Sequence, residues 1–323
     1  YKRQPLALLV AVCLASPAWA ALEYTKGQQQ TIIELIDQLE QRHYAKLSYD
    51  DTLSAAHLDA YLDSLDRTRM FFTQAEIEEF QRYRAVMDDE LRKGDLTAGF
   101  RIFNRYQQRM EARLANLVET LPQAVAALDF ELDEQYHLDI DDRGWARDEA
   151  ELDDRWRKQL KNDVLRLKLA EKPQDEIVPT LEKRYTNQLG RVDQYNNKDV
   201  FQIYANSLTA LYDPHTNYFS PQRSENFNIN MSLSLEGIGA VLQLEDEYTK
   251  VARLVAKGPA DKQGELQPSD RIVGVGQGED GEMVDVIGWR LDEVVKLIRG
   301  PKGTTVRLDV IPAKTKSVDQ HKI

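Results

Sequence analysis

Cysteine is nearly missing from this 323-residue sequence, which has only Cys13. A single thiol excludes a disulfide framework, and because Cys13 sits in an N-terminal run that reads as removable, cysteine catalysis is excluded with it. Histidine is scarce too, and the five residues at 43, 57, 137, 215 and 321 have no spacing that suits a metal ligand set. Long hydrophobic runs are absent: Leu6 to Leu14 falls short of the roughly 20 residues that cross a bilayer, and Glu23, Lys26 and Gln28 to Gln30 stop its extension. Positive charge is in deficit, with 42 Lys and Arg against 54 Asp and Glu, which disfavours nucleic acid as a partner. No repeat of fixed period emerges, so nothing supports a solenoid.

What is present begins with Tyr1-Lys2-Arg3, the apolar run to Leu14, and the small-residue exit Ala18-Trp19-Ala20-Ala21. This three-part pattern predicts a secretory signal peptide over 1–20, cleaved after Ala20. The sequence opens on Tyr and closes on Gln320-His321-Lys322-Ile323, a polar stretch after a strand-like run, and we read it as part of a longer protein.

From about 28 to 211 the apolar spacing is helical. Ile32, Leu35, Ile36 and Leu39 follow one helix face, as do Leu58, Tyr61, Leu62 and Leu65. Thr73-Gln74-Ala75-Glu76 has the spacing of a capping box, opening a helix that Gly94 would end. Further helices are expected over 97–120, 148–171, 175–190 and 198–211, with Pro173 separating two of them and 122–147 as a connecting loop. Arg155, Arg157, Lys158 and Lys161 read as solvated helix faces. Together these make a helical domain over 21–220.

After Asp213-Pro214-His215-Thr216-Asn217-Tyr218 the pattern switches to alternation, at 238–244, 251–255, 271–275 and 304–311. One amphipathic helix, 291–299, interrupts it before Gly300-Pro301. Short strands with a single helix in under 100 residues describe a small, partly open barrel. The fold class expected is therefore α+β and multidomain.

Leu235-Glu236-Gly237-Ile238-Gly239-Ala240-Val241-Leu242 is a glycine-bearing turn leading straight into an apolar strand. Such a turn can expose successive backbone N–H groups, a nest suited to a carboxylate. If the strand keeps an open edge, an extended peptide can pair with it while its terminal carboxylate sits in the nest. Ile238, Ala240 and Leu242 share one strand face, and Leu291, Val294, Val295 and Ile298 recur at helical spacing. The expected peptide-binding set is Gly237, Ile238, Gly239, Ala240, Leu242, Leu291, Val295 and Ile298. In it Ile238, Ala240, Val295 and Ile298 hold the last side chain of an apolar tail, and Leu291 the third from last. An apolar strand facing an apolar helix also describes any small core. Asp213 with His215 reads as a helix stop and turn. Gly274, Gly276 and Gly278 form GxGxG without a following helix, which argues against a nucleotide site.

Residues 228–313 resemble PDZ domains in order and content. The likeness runs through the Gly237–Ala240 loop, Gly258-Pro259-Ala260, Gly264 to Val273 with Ser269 where glycine is usual, and Trp289 to Gly303. The whole chain resembles the tail-specific, or C-terminal processing, peptidases of bacteria in their long periplasmic form, through Met231 to Leu242, Asp213 to Tyr218 and Val284 to Arg290. That resemblance implies an exported serine endopeptidase that acts in the periplasm, in association with the inner membrane if the leader is retained. It also implies protein substrates with apolar C-terminal tails and no cofactor. The family's Ser-Lys dyad lies after the PDZ module. No residue here matches it, so no catalytic or metal residue is assigned, and 314–323 is expected to start a linker to a catalytic domain. The rival reading is a non-catalytic periplasmic adaptor that holds protein tails, and a third is a groove that serves only interdomain packing.

Overall fold

Thr25 starts the first helix by a reciprocal cap: its hydroxyl accepts from the Gln28 N–H at 3.2 Å, and Gln28 Oε1 accepts from the Thr25 N–H at 2.8 Å. The same exchange joins Asn196 and Asp199, and the Glu76 carboxylate takes the Thr73 N–H at 3.1 Å. These contacts come from a computed structural model that describes residues 21–136, 143–232, 237–301 and 303–313. The expected leader over 1–20, Leu235 and Glu236 of the loop, and the expected linker at 314–323 lie outside the described residues.

The helices are α1 (Lys26–Arg42), α2 (Asp51–Leu65), α3 (Gln74–Phe80), α4 (Met87–Arg92), α5 (Thr97–Ala126), α6 (Glu149–Leu169), α7 (Gln174–Asp193), α8 (Asn197–Tyr212), α9 (Pro221–Ser232), α10 (Pro259–Gln263) and α11 (Leu291–Ile298). The strands are β1 (Ala240–Glu245), β2 (Tyr248–Leu254), β3 (Arg271–Gln277), β4 (Met283–Asp285) and β5 (Val306–Ile311). They bear out the expected class, a helical region followed by a small antiparallel sheet with a groove helix.

The chain divides into two compact units, the first comprising Tyr1–Arg113, Ala127–Leu165 and Tyr195–Thr216. Its described residues form helices joined by loops, with one bridge between Thr73 and Ala146. Tyr61 and Tyr204 meet edge to face where α2 packs on α8, with centroids 4.8 Å apart. Beside them His57 is fully buried, its Nε2 3.0 Å from the Tyr204 carbonyl and its Nδ1 2.8 Å from Tyr49 Oη. The carbonyl can only accept, so Nε2 carries the proton and Nδ1 accepts from the tyrosine. Asp66 organises the turn after α2 by accepting from the N–H groups of Met70, Phe71 and Phe72 at 2.9 to 3.0 Å.

Two expectations are corrected here. The helix opened by Thr73 does not run to Gly94 but breaks into α3, a 3-10 turn at Gln81–Tyr83, and α4. The segment 122–147 is not all loop, because α5 continues through Pro122 to Ala126. Proline in a helix interior costs ~3 kcal/mol, and buried leucines return about 1.5–3 kcal/mol each. Leu117 and Leu121 around Pro122, and Ile177 and Leu181 around Pro179 in α7, are all buried.

The second unit comprises Leu114–Ala126, Arg166–Gln194 and Asn217–Ile323. Its sheet order is β1-β2-β3-β4, all antiparallel, with β5 also paired to β3. Val251, Ile272, Val275, Val286, Val294, Ile298 and Val310 form its core. Two glycines of the GxGxG run serve packing, a Cβ on Gly274 lying 3.0 Å from both Asp309 Cβ and Met283 Cγ and one on Gly276 3.1 Å from Arg307 Nη2, whereas Gly278 has open space and φ +69. The sequence pattern shows neither the three-residue β4 nor helices α9 and α10.

Candidate functional site

The glycine turn before β1 has its carbonyls fixed and two of its amides unengaged. Ile238 O accepts from Ala260 N–H and Gly239 O from Val255 N–H, each at 2.8 Å. Among the described residues nothing accepts from the N–H of Ile238 or Gly239. Gly239 has φ +74 and Gly237 φ +150, conformations that a side chain would strain. Two neighbouring amides without an acceptor beside a left-handed kink are what an anion-binding nest requires.

Strand β1 pairs with β2 alone among the described strands, so its other edge is open. Opposite partners in an antiparallel ladder alternate between exchanging hydrogen bonds and leaving them to their neighbours. Ala240 stands opposite Leu254, and the bond there runs from Val255 N–H to Gly239 O, so Ala240 turns its own N–H and carbonyl to the open edge. Leu242 stands opposite Val251, whose N–H and carbonyl are engaged by Asp270 and Ser269 on the β3 side, so Leu242 also faces the open edge. An extended chain added at this edge finds two donors and two acceptors in register.

Helix α11 packs against both β1 and β3. Ile238, Ala240 and Leu242 are partly buried and packed against the core, as is the helix residue Leu297. Leu291 and Val295 are half-buried, whereas Val294 is fully buried and Ile298 is 4% exposed. Of the expected lining, then, Leu291 and Val295 keep surface for a ligand, and Ile298 lies deep among core side chains. No charged residue belongs to this set.

Sequence reasoning missed three contributors. The Arg299 side chain passes Gly237, its Cγ 3.9 Å from where a Cβ would stand, which sets this residue beside the loop. Gly258 Cα lies 3.0 Å from a Cβ on Gly239, so the loop backbone rests on the start of α10. Asp270, 3% exposed, accepts from the N–H groups of Gln267 and Ala313 at 2.8 and 2.9 Å, clamping the turn before β3 to the end of β5. Each carried a signal in the sequence, Arg299 as the basic residue that closes the apolar helix and Gly258 and Asp270 as members of the PDZ-like segments.

Asp213 and His215 form the expected helix stop: Asp213 ends α8, accepts from the His215 N–H at 2.7 Å, and accepts a hydrogen bond from the Tyr44 hydroxyl. These bonds hold its carboxyl below its usual range, the Tyr44 hydroxyl first among them. Among the described residues no cluster of three His, Cys, Asp or Glu could hold a metal, and no helix is long and apolar enough to cross a membrane.

Comparison with known proteins gives two family matches. Residues 35–222 match the tail specific protease N-terminal domain, and residues 226–311 match the PDZ domain. The tail-specific protease of Haemophilus influenzae is 36% identical over 94% of this chain and 45% of its own length. The carboxy-terminal processing protease CtpA of Bacillus subtilis is 33% identical over 35% of this chain and 22% of its own length. The chain thus spans less than half the length of these curated relatives. A crystal structure of the PDZ domain of a carboxy-terminal protease from Vibrio cholerae, in complex with peptide, is 56% identical over 27% of this chain and 85% of its own, with a TM-score of 0.25.

Proposed function

The chain belongs to the tail-specific protease family, and from that premise we propose that its PDZ domain, residues 228–313, captures the C-terminal tails of protein substrates. The observation that carries this reading is the open edge of β1 running into the unengaged amides of Ile238 and Gly239. A tail pairs with Ala240 and Leu242, sets its carboxylate on the two amides beside Arg299, and lays alternate side chains toward α11. Hydrogen bonds to a charged acceptor each contribute about 1.5–3 kcal/mol, more than a neutral end would gain, so a free carboxylate is read as such. Ile238, Ala240 and Val295 take the last side chain over the floor made by Ile298, and Leu291 meets the third from last. The uncharged lining selects apolar tails.

The whole protein acts, in this proposal, as an exported serine endopeptidase of the periplasm, led there by the 1–20 segment. No residue described here is assigned as its nucleophile or base. Tail capture favours one arrangement of the PDZ domain, and only a tail with differential affinity for that arrangement shifts the population.

Titrating the chain with a decapeptide ending in free Ala-Val, and with its amidated twin, tests the reading. Binding of the free acid at least about tenfold tighter is expected, one such charged hydrogen bond being worth a decade or more. Equal affinity for the two would remove the carboxylate nest from the mechanism.

A further inference from the structure

Within the second unit, helix α7 touches both ends of a frame around the groove. Lys183 Nζ lies 2.5 Å from Asp246 Oδ2, and Asn187 Nδ2 donates to Asp246 Oδ1 at 3.1 Å. Asp246 directly follows β1 and has φ +57, so these contacts hold the turn in which the tail-pairing strand ends. At the far end of α7, the Gln194 amide donates to Gly288 O at 3.1 Å, and the Gln194 carbonyl accepts from Arg290 Nη1 at 3.0 Å. Arg290 is the N-cap of α11. Gly288 N–H donates to Glu247 O at 2.7 Å, closing a triangle of helix end, hairpin turn and groove-helix start.

Lys183, Asn187 and Gln194 follow one another at i, i+4 and i+11, so they lie on one stripe of the helix at about 100° per residue. Ile177, Leu181, Tyr185 and Val192 are buried and hold α7 in place. The contacts meet the groove at its Leu291 mouth, away from the glycine loop. No tail residue is needed to explain them.

We propose that α7 is a strut that sets the width of the tail groove at its mouth, so that tail binding and the α7 contacts are thermodynamically linked. The inference rests on the tail-binding reading above. Lys183, Asn187 and Gln194 are positioning residues that act on the tail through Asp246 and Arg290. One rigid helix fixes where β1 ends and where α11 starts, so a tail filling the gap meets walls already spaced. Linkage then requires the bound tail to stabilise the strut in return. Lys183 keeps 63% of its side-chain surface in solvent, so the effect is modest.

The test uses the full chain and a fluorescein-labelled decapeptide ending in free Ala-Val. Asp246→Asn and Lys183→Asp should each weaken binding about two- to fivefold, the range of a partly exposed ion pair. The double change Lys183→Asp with Asp246→Lys should restore most of the loss, which a merely structural role would not predict. Lysine tolerates the backbone at that turn, since Lys46 and Lys257 already have φ 51 and 64. Amide exchange in 183–194 should slow when peptide is added to the wild-type chain and change less in Asp246→Asn. Peptide binding that leaves exchange in 183–194 unchanged, or variant affinities equal to or above wild type, overturns the strut and leaves the groove standing. Failure of the wild-type chain to bind either the free or the amidated peptide overturns the groove reading and the strut with it.

Discussion

Gly239 and Gly258 meet backbone to backbone: a Cβ built on either would lie 3.0 to 3.2 Å from the other's Cα. Gly239 also has φ +74. Gly239→Ala therefore combines left-handed strain with a clash against Gly258 and Pro259, together about 1–3 kcal/mol. Tail affinity is expected to fall by about tenfold or more as the amides of Ile238 and Gly239 move apart. Urea denaturation and peptide titration on the same variant separate the two losses.

Val294 and Val295 are neighbours on α11 with opposite duties. Val295→Asp puts a carboxylate on the half-buried groove face and should weaken an Ala-Val tail about tenfold or more, with circular dichroism unchanged. Val294→Asp places the charge in the core, where Val294 is fully buried, and should unfold the domain. Undiminished tail binding by Val295→Asp would mean that the other face of α11 lines the groove.

Ser269 sits at φ +73 in the turn before β3, with its N–H on Val251 O at 2.7 Å. Left-handed backbone costs a non-glycine residue about 1–2 kcal/mol, and glycine gives back roughly half of that through its freer unfolded chain. Ser269→Gly should raise stability by about 0.5–1 kcal/mol, read as a higher melting temperature, without altering tail affinity.

Burial in the first unit lowers His57 to about 4 from an ordinary 6.5, the Tyr204 carbonyl opposing in part. The unfolded chain therefore takes up the proton first as pH falls below 6.5. The stability held by neutral His57 is full above that pH and is lost between 6.5 and about 4, by up to roughly 3 kcal/mol. Glu40, lowered to about 2 chiefly by its hydrogen bond from Arg92, protects stability above 4.5 and loses it in a lower window. Denaturant midpoints measured from pH 7 to 4 should slope downward in the wild type and flatten in a folded His57→Gln variant. An equal slope in both would assign the loss to other groups.

Much of this was legible because it is local. Thr73 announces a helix start within four residues, and the Gly237–Leu242 segment shows both its turn and its strand. Ser269 was marked as standing in a glycine position, and its left-handed backbone is the reason that glycine suits it. The rest depends on contacts distant in sequence. Leu117 and Leu121 carry α5 through Pro122 because they find a buried environment, which periodicity does not report. The polar stretch that forms α9 has no apolar stripe to betray it, and β4 is three residues that exist as a strand only through β3. In the groove, periodicity grouped Val295 with Ile298, but only packing separates a half-buried wall from a core floor. Asp246 and Gln194 stood in no motif, since their partners are 59 and 96 residues away.

Ala252 is an extra residue in β2, because Val241 stands opposite Arg253 and Leu242 opposite Val251. Such a bulge bends the hairpin and increases its twist. A long flat edge recruits other sheets and seeds fibrils, whereas a short, twisted one offers too little register for a second sheet to zip onto. Six residues bent after the second give room for one chain end. The same irregularity therefore lets an unfilled strand edge exist without becoming a template for other sheets.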